Sequence, residues 1–511
     1  MPARRYVTAL LVAALPALFL ASQLDLPLYE DGLFWWVPQA LWIAERGPAW
    51  VPAGELPGAC LPDAWLPPQW TGGLPDYGHP PLWFHYLALW LRLLGPTAWS
   101  VRVACLPLAL LLGWGAVALA RRLAGLEAPP LALAALLSPT LLGQLLRPDT
   151  DLPLLVLVLA ALVAVADARP WRFAALAGLA AWCKEPAVLL AVPAALAGLR
   201  DRRFLAASCA APAALAAWAT IHRARTGWAL AGAERIPENA QAWLHDLGAV
   251  ASIALLEGGR WAAWAASLGA AALAWRRRAL RDPTPDPGRR RALLACAAFL
   301  VSQILAFSFL NFLGGRGLLQ AFTHVRYLLP AAVVGTLLAA GLAQRLISRA
   351  FAPRLSPARL SLVLALSMAV AALPGARRLG ARGPEANLFS LDQARAWEVA
   401  ALDLARADPA PRRATWVESQ LFTALTRPWA GLVERGVRDV RPFGPDTLPE
   451  DLAPGDRLVR CRYGEPLGRL GELRRAEIER VAVGEAWVLI ERVLPGRTAP
   501  PPARTLESTQ R

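Results

Sequence analysis

The chain has 511 residues, 56% of them hydrophobic, with 53 Lys and Arg against 38 Asp and Glu and a formal net charge of +15. A mean hydropathy of +0.38 excludes a disordered segment and an ordinary soluble mixture, so long apolar runs decide the architecture. The positive charge does not describe a nucleic-acid surface, because the basic residues punctuate the apolar runs instead of gathering on one soluble face.

In chain order, apolar runs long enough to cross a bilayer fall near 6–24, 98–120, 130–146 and 151–168, each close to the about 17 to 25 residues a span requires. A broken pair, 172–183 and 185–199, follows with Lys184 and Glu185 at its joint. Further spans are expected near 203–222, 249–275, 292–312, 327–347 and 357–374, which makes about eleven. The first is a retained helix, since no small-residue cleavage site follows it convincingly.

Orientation follows from arginine. Arg4 and Arg5, Arg121 and Arg122, Arg169 to Arg172, Arg200 to Arg203, Arg276 to Arg291 and Arg345 to Arg359 all fall in alternate loops, which the positive-inside rule makes cytoplasmic. The N-terminus is then cytoplasmic. The other ends hold 25–97, 147–151, Lys184 to Glu185, 223–248, 313–326 and everything after 375. This assignment requires Pro80 to Leu94 (PPLWFHYLALWLRLL) to lie flat in the outer interface, with Trp83, Tyr86 and Trp90 at headgroup level. Leu33 to Ala44, with Phe34, Trp35, Trp36 and Trp42, reads as a second interfacial helix. After 375 hydropathy falls and Pro, Gly, Arg and Glu rise. A helix over Leu391 to Ala407 and strands around Thr415 to Val417, Arg457 to Tyr463 and Trp487 to Val493 predict a small α/β domain. It covers 376–497, outside the membrane, with a disordered tail over 498–511.

The six cysteines, Cys60, Cys105, Cys183, Cys209, Cys296 and Cys461, show no CxxC pairing, and no metal-ligand spacing is evident. Candidate chemistry lies in the outer set. Tyr29-Glu30-Asp31-Gly32 opens the first outer loop with two adjacent carboxylates, and Arg147-Pro148-Asp149-Thr150-Asp151 holds a second acidic pair. Both also read as helix caps, since acids suit helix N-termini. Lys184 is the only lysine of the chain. Charge beside hydrocarbon is costly and usually kept for a polar cavity or substrate path, although Lys184 and Glu185 also read as a mutually neutralising ion pair. His79 and Arg326-Tyr327 stand at membrane boundaries, as anchors or as ligands.

These same positions carry a family resemblance. LYEDG after the first helix, GHPPLWFHYLALWLRLLG followed by WSVR, RPDTD, CKEPAVLL and VRYLLPA resemble the GT-C superfamily of membrane glycosyltransferases. The nearest lineage is that of protein O-mannosyltransferases and the aminoarabinose transferase of lipid A. The resemblance covers residues 1 to about 375 and implies a mainly α, polytopic GT-C-type catalytic domain over 1–375. It implies an inverting glycosyltransferase in a bacterial inner membrane, moving a sugar from a polyprenyl-phosphate donor to a hydroxyl of a lipid, glycan or protein acceptor on the outer face. The acidic residue of the first outer loop is then the catalytic base. Relatives carry Asp followed by Glu, whereas here Glu30 precedes Asp31, so Asp31 is preferred and Glu30 stays open. Lys184, Arg147 and Arg326 are the donor-phosphate candidates, and His79, Asp149, Asp151 and Tyr327 the other substrate contacts. Membrane lipids are the expected surroundings, and nucleic acid is not an expected partner. The oligosaccharyltransferase motif WWDYG is missing; Asp76-Tyr77-Gly78 lacks its tryptophans. No cofactor is implied, because the closer relatives work without a catalytic ion. The competing class is a polytopic transporter or lipid flippase, which would show two halves with matching interrupted helices.

Overall fold

The computed structural model describes residues 2–26, 28, 32, 36–47, 79–126, 128–226, 239–256, 260–276, 286–309, 327–351 and 356–377, and in the C-terminal part 415–418, 440–443, 452–461, 473–483 and 486–497. Glu30, Asp31, Arg326, the expected helix over 391–407 and the tail lie outside the described residues.

The described chain is mainly helical. It opens with α1 (Pro2–Ala21), α2 (Val37–Arg46), α3 (Leu82–Leu94) and α4 (Ala98–Ala124). Next come α5 (Ala132–Leu136), α6 (Pro139–Leu145), α7 (Asp151–Ala166), α8 (Pro170–Ala181), α9 (Ala191–Gly198), α10 (Arg202–Ser208) and α11 (Ala210–Thr226). The membrane part closes with α12 (Ala240–Leu255), α13 (Trp261–Arg276), α14 (Pro287–Phe309), α15 (Leu329–Phe351) and α16 (Pro357–Arg377). Four helical stretches are long and apolar enough to cross a membrane by length and composition: Ala98–Ala124, Arg202–Ala224, Pro287–Phe309 and Leu329–Arg349. Large apolar side chains face outward along them, among them Leu110, Leu111, Trp114, Val301 and Leu305. Such a surface suits lipid and not water.

Helix α4 has 27 residues, about 40 Å at the rise of an α-helix, and it orders the bundle from end to end. Near its start Arg102 donates to the carbonyls of Leu26, beyond α1, and Leu146, beyond α6. Near its other end Arg122 pairs with Asp167, beyond α7, and Arg291 of α14 donates to Ala166 O. Arg122 and Arg291, two of the cations expected to be cytoplasmic, therefore lie at one end of α4, and the Arg147–Asp151 loop at the other. Between them α1 crosses α4 at Gly113, where a Cβ would come within 2.0 Å of Ala13 O. Only glycine allows that approach, a known route to close helix packing in lipid.

Helix α3 does not span. Trp83 at its start bonds to Pro148 O at the acidic end. Its last residue, Leu94, is followed at once by the start of α4, which begins at that same end. Arg92 donates to Ala44 O and Ile43 O, so α2 and α3 pack on each other at this end.

Two expected spans are divided. The run 249–275 becomes α12 and α13, separated by the sequence Leu256-Glu257-Gly258-Gly259-Arg260; two glycines between charged residues outweigh the flanking apolar residues. Ser267 of α13 donates to Ala339 O, and Trp264 lies beside Gly335, so α13 runs parallel to α15. The run 130–146 breaks at Leu137-Ser138, directly ahead of Pro139, which takes the first position of α6; a proline cannot donate inside a helix.

The C-terminal strands are β1 (Thr415–Glu418), β2 (Val440–Phe443), β3 (Arg457–Cys461), β4 (Leu473–Val483) and β5 (Ala486–Arg497). They form one sheet in the order β2-β1-β3-β5-β4, parallel across β2-β1-β3 and antiparallel across β3-β5-β4. Strands β1, β3 and β5 match the expected runs. Strand β4 was missed because LRRAEIERVAV is rich in Arg and Glu. Its charge is absorbed laterally, since Glu491 of β5 accepts from both Arg475 of β4 and Arg460 of β3.

Candidate active site

The break after α8 is set by Pro186. Its ring prevents the helix from continuing, and Lys184, whose N–H makes the last helical bond to Ala180 O, turns extended at φ −161° and ψ 144°. The chain resumes as a 3-10 turn over Glu185–Leu190. Lys184 and Glu185 are thereby presented on a kink at the acidic end.

They do not bond to each other but to different partners. Lys184 Nζ lies 2.5 Å from Asp151 Oδ1, with the two side chains 2% and 1% exposed. The same ammonium sits 4.2 Å from the centroid of the Tyr327 ring, a cation–π distance. Glu185 instead accepts from His79 Nδ1 at 2.8 Å. An ionised carboxylate has no proton to give, so Nδ1 must carry the hydrogen. The expected Lys184–Glu185 pair is thus replaced by two cross-loop pairs, because the extended Lys184 backbone sends adjacent side chains to different neighbours.

The acidic loop before α7 shows the capping role expected of it. Asp149 Oδ1 accepts the N–H of Asp151, as a cap does. Asp151, at the first position of α7, gives one oxygen to Lys184, while its Oδ2 has no hydrogen-bond partner among the described residues. Arg147 and Asp149 are also buried, at 9% and 2% exposure. A buried carboxylate oxygen with acceptor capacity left over fits a place for a donor group of substrate or water.

The first outer loop meets the acidic loop at Pro148 and the end of α8 at Trp182. Trp83 Nε1 donates to Pro148 O at 3.1 Å, and the N–H of Leu82 donates to Trp182 O at 3.0 Å. Trp36 of the α2 segment packs on His79 at 5.2 Å and on Phe84 at 5.7 Å between ring centroids. Gly32, the residue after Asp31, abuts Pro148 so closely that a Cβ would lie 2.8 Å from its ring. The structure thus brings His79, Arg147, Asp149, Asp151, Lys184 and Tyr327 into one region, with the chain on the C-terminal side of Asp31 against the same loop.

Arg102 was not singled out from the sequence, although it lies in a quoted stretch, and Trp83 was read only as a headgroup-level aromatic, not as a hydrogen-bond donor to the acidic loop. A usable signal was present for Arg102, an arginine inside an apolar run one turn from its start, to which the rule about costly charge in hydrocarbon applies as it did to Lys184. Among the described residues no three His, Cys, Asp or Glu side chains gather as a metal site; Glu30 and Asp31 are not among them.

No protein-family model and no curated protein matches the sequence. Solved structures do match in fold. The chain is similar to the crystal structure of ArnT from Cupriavidus metallidurans bound to undecaprenyl phosphate, at 14% identity and a TM-score of 0.50, over 96% of this chain and 97% of that one. The same protein in the apo state aligns at 16% identity and a TM-score of 0.49, over 96% and 98%. The fold that the resemblance implied is the fold observed.

Proposed function

We propose that this chain is an inverting glycosyltransferase that moves a sugar from a polyprenyl-phosphate donor to an acceptor hydroxyl at the outer face of a bacterial cytoplasmic membrane. The observation that carries the reading is the convergence of the first outer loop, the Arg147–Asp151 loop and the Lys184 kink on one buried polar region at the acidic end. The fold similarity to ArnT solved with undecaprenyl phosphate supports the donor class. Residues 1–375 are the catalytic part and 376–497 an outer domain.

In this reading Asp31 takes the proton of the acceptor hydroxyl, with Glu30 as its alternate. A positioned base contributes about 10² to 10⁴ in rate. The acceptor oxygen attacks C1 of the sugar, the C1–O bond to phosphate breaks from the opposite side, and the electron pair leaves on polyprenyl phosphate. Direct displacement inverts C1. The departing charge is met by Arg147, Arg326 and Lys184, electrostatic help of the kind that dominates such steps. Lys184 arrives already engaged by Asp151, so donor phosphate shares or displaces that carboxylate. His79, Asp149, Asp151 and Tyr327 line the substrate, the interfacial helices border the slot that leaves the lipid tail in the bilayer, and no metal ion takes part.

Mass analysis of envelope lipids and glycans with and without the gene tests the reading. One product should lose a single sugar, and identical profiles overturn the proposal. Orientation is tested separately: a thiol reagent should reach Gly288→Cys only from the cytoplasm and Gly436→Cys only from outside, as the arginine alternation requires. Labelling of both from one side sinks the map.

A further inference from the structure

We propose that Arg102 is a positioning residue that sets the distance between the two acidic segments, Glu30-Asp31 and Asp149-Asp151. The inference rests on the reading of the first outer loop as the source of the base. Arg102 lies one turn inside α4 and is 2% exposed. Its Nε donates to Leu26 O at 2.7 Å and its Nη1 to Leu146 O at 2.9 Å. Leu26 stands just ahead of Glu30-Asp31, and Leu146 just ahead of Arg147-Pro148-Asp149.

Neither carbonyl is held by a helix ladder. Leu146 caps the C-terminal end of α6, where carbonyls are left over, and Leu26 lies beyond the turn that follows α1. A planar guanidinium with several donors in fixed directions reaches two such acceptors at once, which a single ammonium does not. The cation therefore works as a spacer with two prongs, one for each acidic segment. The contact of Gly32 with Pro148 is the downstream sign of that spacing, with the Pro148 ring so close to Gly32 that a Cβ would collide with it. Catalysis by a positioned base is steep in distance: about an ångström of misplacement costs about a hundredfold.

The test uses the full-length protein with its native cysteines replaced by alanine. The Gly32→Cys and Pro148→Cys pair should form a disulfide readily when Arg102 is present. With Arg102→Gln its yield should fall severalfold. In cells lacking the gene, complementation with Arg102→Gln should give about a hundredfold less modified product. The purified variant should still bind undecaprenyl phosphate within about threefold of wild type, a small change beside that loss. Arg102→Lys keeps the charge and one bond and should recover part of both cross-link and product. If Arg102→Gln does not fold, Arg102→Lys decides alone, with cross-link and product both reduced. An unchanged cross-link in the folded variants overturns the proposal, whatever happens to product. A lost cross-link with full product leaves the spacing role standing and instead contradicts the assignment of the base to the first outer loop.

Discussion

The two ends of the helix bundle use the same ion pairs in opposite surroundings. At the arginine end Arg122 grips Asp167 with two hydrogen bonds, and the side chains are 40% and 20% exposed. At the acidic end Lys184 holds Asp151 with both side chains buried, and Arg102 is sunk among backbone carbonyls. An exposed pair is worth about 0 to 1 kcal/mol. A buried pair is no better for stability than well-packed apolar residues, yet losing one partner costs about 3 to 5 kcal/mol. A bundle selected for stability alone has little reason to keep the second arrangement. The buried charges mark the end where the molecule does something other than stand up.

The largest effect that can break this comparison is on chemistry. Asp31→Asn should reduce modified envelope product by about 10² to 10⁴, with normal expression and melting temperature. Glu30→Gln should be milder, and the reverse ranking would exchange the two roles.

Next is the buried pair. Lys184→Ala should lower stability by about 3 to 5 kcal/mol in thermal unfolding of the solubilised protein, because the buried Asp151 carboxylate loses its paired ammonium. The double change Lys184→Met with Asp151→Leu should recover most of that loss while transfer stays low. Recovery of transfer in the double variant would remove Lys184 and Asp151 from substrate handling and leave Arg147 and Arg326 as the phosphate candidates.

Gly32→Ala sharpens the geometry. Its Cβ meets the Pro148 ring at 2.8 Å, so the segment holding Asp31 must shift, and product should fall about tenfold. Adding Pro148→Ala should restore much of it; an unaltered rate in Gly32→Ala would show that this contact does not govern the site. Smallest of all, Arg122→Ala should change stability by less than about 1 kcal/mol and leave transfer intact.

Much of this was legible in the sequence because lipid imposes coarse rules. Apolar length placed most of the described helices, and alternation of arginine put Arg122 and Arg291 in one set of loops and the Arg147–Asp151 loop and Lys184 in the other, which lie at opposite ends of α4. It also laid α3 flat, as the shared end of Trp83 and the start of α4 requires. What was hidden depends on local backbone direction. Lys184 and Glu185 are neighbours in sequence, and only the extended conformation imposed ahead of Pro186 sends one to Asp151 and the other to His79. Arg102 carried the signal of a charge inside an apolar run, but the two main-chain carbonyls it holds leave no mark on side-chain patterning. Strand β4 was missed for the opposite reason, since its sequence is rich in charge while one of those charges, Arg475, is paired across the sheet with Glu491 of β5.

The central claim is that the acidic end transfers a sugar off a polyprenyl phosphate and the arginine end does not. Purified wild type, Asp31→Asn and Arg122→Ala, each incubated with envelope lipid extracted from cells lacking the gene, can be followed by mass spectrometry for newly released undecaprenyl phosphate. Wild type and Arg122→Ala should release it at equal rates, and Asp31→Asn should release none above the rate without protein. Equal release by all three proteins, or none by wild type, would contradict the account.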